Sequence, residues 1–91
     1  MGTDYAGARQ VDFYLGMPIH EIEWMQEAGM TPLQIIVAAT RNGARSCNLE
    51  RELGTLEKGK LADVLVVDGD PLVDVHALTK ARLILREGKS I

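Results

Sequence analysis

The residues of this sequence able to do chemistry are few: Asp4, His20, Cys47, the neighbours Lys60 and Asp63, and His76. Two metal-binding histidines on one helix face stand four residues apart, but His20-Glu21 is followed at that spacing by Trp24, so the H-E-x-x-H pattern fails. His76, in Asp74-Val75-His76-Ala77, also lacks a second ligand at metal-site spacing. Both histidines read as surface or half-buried structural residues, with His20 keeping the alternative of a place near a substrate. Cys47 is the single cysteine, so it has no intramolecular disulfide partner, and no motif sets a base beside it. It reads as a buried structural thiol in a reducing compartment. Lys60 and Asp63 read as a solvated turn lysine and a hydrogen-bonded aspartate leading into a strand, rather than as a catalytic dyad. Asp4 lies in the glycine-rich polar run from Met1 to Arg9, which has no periodicity and by its residues alone reads as a flexible tail.

The elements that would position these side chains are better marked. Ala62 to Val67 is a nearly unbroken apolar run of strand length between Gly59-Lys60 and Gly69-Asp70-Pro71. Such a run predicts a strand covered on both faces, which needs partners to pair its backbone and bury its sides. Val11 to Gly16 suits a loop with its aromatics turned inward. Met17-Pro18 opens a helix predicted over residues 18 to 28, with Glu21 and Glu23 near its positive end and Gly29 just past its C-terminus. A second helix is predicted over residues 31 to 46: Thr31 caps it, Pro32 takes the first position, and Gln34 completes a capping box. Leu33, Ile36, Val37, Thr40, Ala44 and Cys47 recur on it at helical spacing, and Asn48-Leu49 suits a left-handed stop. Glu50-Arg51-Glu52-Leu53 reads as a charged linker and as the boundary between residues 1–48 and 49–91. A short strand or turn is expected at Thr55-Leu56. Asp70-Pro71 caps a helical turn over residues 72 to 78, a strand follows over residues 81 to 86, and Glu87-Gly88 turns the chain into Lys89-Ser90-Ile91.

The run Gly54-Thr55-Leu56-Glu57-Lys58-Gly59-Lys60-Leu61-Ala62-Asp63-Val64-Leu65-Val66-Val67-Asp68-Gly69-Asp70-Pro71-Leu72, followed by Arg82-Leu83-Ile84-Leu85-Arg86-Glu87-Gly88-Lys89, resembles the C-terminal signature of the metal-dependent amidohydrolase superfamily. It is most similar to the imidazolonepropionase-like and prolidase-like branch. The segment from Glu27 to Leu33 and that from Ala39 to Ala44 resemble the helical return after the last barrel strand. The fold class this implies is α+β: the end of strand 8 and two helices of a (β/α)8 barrel in residues 1–48, then C-terminal strands of a small β-sandwich in residues 49–91. Gly2-Thr3-Asp4 resembles the end of strand 8, where the family's aspartate binds the metal and shuttles a proton, so the resemblance assigns both roles to Asp4. The cofactor implied for the complete enzyme is a divalent metal, zinc by expectation. A carboxylate touching metal and bound water takes the proton as hydroxide attacks a carbonyl carbon and returns it to the leaving nitrogen.

The resemblance also implies what this stretch does not contain. The H-x-H of strand 1, the lysine or carboxylate of strand 4 and the histidines after strands 5 and 6 have no counterparts, and a (β/α)8 barrel alone takes about 250 residues. Catalytic zinc wants about three protein ligands, so the chain by itself is expected to be inactive and to hold no tight metal. The reading is a C-terminal part of an enzyme that hydrolyses amide, cyclic amide or peptide-like C–N bonds, with the N-terminal barrel or another copy of the chain as partner. The alternative is a non-catalytic assembly module built from the same fold. A small independent enzyme using Asp4, His20 and His76 is the third reading, and nothing in their spacing brings them together. With 91 residues, 46% apolar, 25% charged, a net charge of −3 and no basic cluster, the composition fits one small domain with a modest core and argues against nucleic acid or anionic membrane as partner. No apolar run approaches the roughly 20 residues of a membrane helix, and a cytoplasmic setting is expected.

Overall fold

The computed structural model describes residues 17–91. Local chemistry delimits the first helix, α1 (Ile19–Glu27), as the sequence predicts. Pro18 precedes it, and at its end Gly29 takes φ +102°, a conformation costly for residues with a Cβ. The Gly29 amide donates to the Gln26 carbonyl at 3.0 Å and the Met30 amide to the Met25 carbonyl at 3.1 Å, which together make a Schellman stop.

Helix α2 (Pro32–Ala39) starts on the expected capping box. The Gln34 amide donates to Thr31 Oγ1 at 3.2 Å, and the Thr31 amide donates to Gln34 Oε1 at 2.9 Å, so two amides at the helix start are satisfied reciprocally. The single helix expected to residue 46 is instead two. Thr40, at φ −113° and ψ −82°, separates α2 from α3 (Arg41–Ser46). Its hydroxyl donates to the Ile36 carbonyl at 2.7 Å, and such back-bonding from a threonine bends a helix. The bend also makes room for Gly54, where a Cβ would lie 3.1 Å from the Thr40 carbonyl oxygen and 2.7 Å from Ala44 Cβ. Asn48, at φ 58°, then stops α3 as expected, with the Leu49 amide reaching the Ala44 carbonyl at 2.9 Å.

The strands form a three-stranded antiparallel sheet in the order β1-β2-β3, from Val64–Val67, Ala81–Arg86 and Lys89–Ser90. Val64 pairs with Leu85, Leu65 with Ile84 and Val66 with Leu83, after which Val67 meets Ala81, so a bulge leaves Arg82 unopposed. Glu87 and Gly88, both at positive φ, make the two-residue hairpin turn that matches strand twist. No strand forms at Thr55-Leu56. The helical segment expected over residues 72 to 78 breaks in two. Asp70 Oδ1 accepts from the Leu72 amide at 2.9 Å to make one turn, and a 3-10 helix (Val75–Thr79) begins afresh on Asp74. Asp74 is extended, at φ −142°, because its own carboxylate caps the following turn.

Among the described residues the core joins three elements: Ile22 of α1, Ile35 of α2 and Val75 of the 3-10 helix are almost wholly buried, with Met17, Ile19, Met25, Met30 and Leu78 packed around them. Ile35 lies off the expected row of Leu33, Ile36 and Val37, and Leu33 is exposed. The apolar strand expected to be covered on both faces is not: Leu65 and Val66, on opposite faces, are 40% and 41% exposed.

Candidate functional site

Two surfaces carry the chemistry and the recognition potential of the described residues. The first is a polar cluster at the rim of the core. His76 follows the start of the 3-10 helix, where Asp74 Oδ1 accepts from the His76 amide at 2.9 Å and lies 2.8 Å from its ring Nδ1. The other ring nitrogen, Nε2, lies 3.1 Å from Glu23 Oε1 on α1, 53 residues away in sequence. His20, one turn before Glu23, places its Nδ1 3.8 Å from Glu23 Oε2 and its ring 6.4 Å from that of Trp24. Hydrogen bonds to Asp74 and then Glu23 hold His76 above the usual imidazole range. The His76 amide and then its ring hold Asp74 below the usual carboxylate range.

The histidines therefore converge, which their spacing did not predict, but on a carboxylate rather than on a catalytic centre. Among the described residues no group of three or more His, Cys, Asp or Glu side chains can hold a metal ion. Both ring nitrogens of His76 already face carboxylates, so the described residues do not fit a metal. The structural role expected of both histidines is what the geometry provides. Glu23 was missed as their shared partner because only tertiary packing brings it to His76, whereas the Asp74-x-His76 pairing was available as a local turn motif. Asp4, the expected metal ligand and proton shuttle, lies outside the described residues, as do Val11 to Gly16.

The second surface is an apolar groove of about 770 Å³ between α2 and α3 on one side and β1 with its preceding loop on the other. Ile36, Ala44, Leu53, Leu61, Leu65 and Val67 are among its lining residues. Cys47 opens onto it and is free and exposed, contrary to the expected buried thiol, because it caps α3 where the wall ends. Lys60 also departs from expectation. Its ammonium donates to the Glu50 carbonyl at 2.7 Å and to Thr55 Oγ1 at 2.6 Å, and its side chain is only 13% exposed. Instead of pointing to solvent from a turn, it ties together the loop that floors the groove. Asp63 is hydrogen-bonded as expected, accepting from the Glu87 amide at 2.8 Å and fixing the hairpin to the start of β1.

Helix pair, groove and hairpin follow one another in the order of a known architecture, and the model of the Amidohydrolase family matches residues 1–88. The chain belongs to the amidohydrolase family. Within it, the relatives place the chain in the imidazolonepropionase-like and prolidase-like branch. It is 35% identical to the imidazolonepropionase of Symbiobacterium thermophilum over 71 residues, 67% of this chain and 17% of that protein. It is 60% identical over 35 residues to the 5-methylthioadenosine/S-adenosylhomocysteine deaminase of Moorella thermoacetica, 38% of this chain and 8% of that enzyme. A crystal structure of a Xaa-Pro dipeptidase superposes with a TM-score of 0.78 at 32% identity, over 81% of this chain and 18% of that one. The chain thus spans less than a fifth of the length of these relatives. The amidohydrolase family generally uses a divalent metal. Among the described residues no helix is long and apolar enough to cross a membrane.

Proposed function

We propose that this chain is the C-terminal portion of a metal-dependent amidohydrolase that hydrolyses amide, cyclic amide or peptide-like C–N bonds, and that it is inactive alone. Residues 1–48 would close the (β/α)8 barrel, with Asp4 as metal ligand and proton shuttle, and residues 49–91 would supply strands of the small β-sandwich. The observation that carries this reading is the open groove of about 770 Å³, flanked by a sheet apolar on both faces, in a chain spanning less than a fifth of its relatives. A parent molecule would cover these surfaces, and exposed apolar area of this kind marks an interaction site. The N-terminal barrel is the partner this assigns, with self-association as the substitute when the barrel is missing. Zinc is the metal expected in the complete enzyme, and a cytoplasmic setting accords with the one unpaired thiol.

The test is metal content. Purified 91-residue chain incubated with zinc and freed of unbound ion should retain far less than one ion per chain, and it should hydrolyse no amide substrate. Stoichiometric metal that disappears on Asp4→Ala would overturn the reading in favour of a site assembled between chains. Unchanged solution mass after mixing with a family barrel that lacks its own matching C-terminal segment would favour a non-catalytic assembly module.

A further inference from the structure

The cluster at the rim of the core goes beyond that reading and does not depend on it. Carboxylates only accept hydrogen bonds, and a neutral imidazole has one N–H to donate. His76 nevertheless faces a carboxylate oxygen with each ring nitrogen, Asp74 at 2.8 Å and Glu23 at 3.1 Å. Both contacts are hydrogen bonds only when the ring carries both protons. The Asp74 contact is local, two residues away, whereas the Glu23 contact crosses from the 3-10 helix to α1. The clasp also borders the core directly, because Glu23 follows the buried Ile22 and Asp74 and His76 flank the buried Val75.

We propose that Glu23, His76 and Asp74 form a proton-operated clasp, closed when the His76 imidazolium bridges α1 to the 3-10 helix and released at Glu23 when the ring loses a proton. Loss of that proton leaves one N–H, which stays with Asp74, anchored by the same Asp74 oxygen that accepts from the His76 amide. Among the described residues, the cluster has charged neighbours on α1 and after the 3-10 helix. On α1, His20 approaches the other Glu23 oxygen at 3.8 Å. Lys80, after the 3-10 helix, acts on Asp74. Helix α2 has no charged residue. Beside β1, Asp68 is engaged by Arg82 at 3.3 Å.

The direction with pH follows from linkage. His76 is raised from 6.5, so its contribution is complete below that value and is lost as pH rises through the higher folded value. Asp74 is lowered from 3.8, so its contribution is complete above that value and is lost only as pH falls through the lower folded one. The clasp is closed across the mildly acidic range and opens on the alkaline side.

An imidazole NMR titration of the 91-residue chain, combined with amide exchange, tests this. Glu23→Gln and Asp74→Asn should each lower the His76 midpoint, the first abolishing the pH response of α1 and the second moving it to the lower midpoint. His20→Gln should leave a clear His76 response, separating the two rings. Protection factors of α1 amides should be about two- to five-fold higher below the His76 midpoint than above it, the range set by exposed ion pairs. A His76 midpoint indifferent to Glu23→Gln, or α1 protection that stays flat through the His76 titration, would overturn the proposal.

Discussion

Helix α2 has two apolar flanks that meet different surroundings. Ile35 is wholly buried against Ile22 and Val75, while the neighbouring Ile36 looks into the open groove with Ala44 and Cys47. On the closed flank, capped helices and the 3-10 helix supply enough neighbours to exclude water. On the open flank, the sheet and the floor loop stop short: Leu65, which lines the groove, is 40% exposed, and Val66 on the opposite face of the sheet is 41% exposed. A helix apolar on more than one side is built to be covered on more than one side. The contrast therefore separates the apolar surface this chain covers by itself from the apolar surface it leaves open.

Five substitutions break or sharpen that contrast, from Ile35→Ala with the largest effect to Leu65→Lys with the smallest. Ile35→Ala removes most of a fully buried side chain and should cost about 2–5 kcal/mol, enough to abolish cooperative unfolding in a core this small. Ile36→Ala on the open flank should cost under about 1.5 kcal/mol; equal losses in parallel denaturant titrations would mean that the groove is already filled. Gly54→Ala should cost about 1–3 kcal/mol, because glycine there has φ +98° and a Cβ would approach Ala44 Cβ to 2.7 Å. Thermal melts showing no loss would mean that the bend at Thr40 does not constrain the groove wall.

Thr31→Ala removes the hydroxyl that accepts from the Gln34 amide and should cost about 1 kcal/mol, read as faster amide exchange in the first turn of α2. Leu65→Lys should leave unfolding within about 0.5 kcal/mol while reducing self-association in sedimentation runs, since Leu65 is 40% exposed and lines the groove. A large loss of stability from that change would place Leu65 in a buried interior.

Where the signal was local, the fold was legible. Thr31-Pro32-x-Gln34, Gly29, Asn48 and Glu87-Gly88 act through hydrogen bonds and dihedral angles within a few residues, and each behaves as its residue type dictates. Legibility failed where a distant neighbour decided the outcome. The break at Thr40 combines a local back-bond with a close approach of Gly54, the tethering of Lys60 depends on Glu50 and Thr55, and the exposure of Cys47 depends on where the groove wall ends. The candidate site divides in the same way. Asp74-x-His76 is a turn motif readable from two residues, whereas Glu23 joins it only through the packing of α1 on the 3-10 helix.

By itself the sequence determined the start of α2, the stops of α1 and α3, the hairpin turn and membership of the amidohydrolase family, because these rest on short-range hydrogen bonding and on a motif continuous along the chain. Only the tertiary structure decided that Ile35 rather than Ile36 enters the core, that β1 keeps both faces partly open and that His76 reaches Glu23. Periodicity can show that a face is apolar, but burial depends on which other surfaces arrive to exclude water from it.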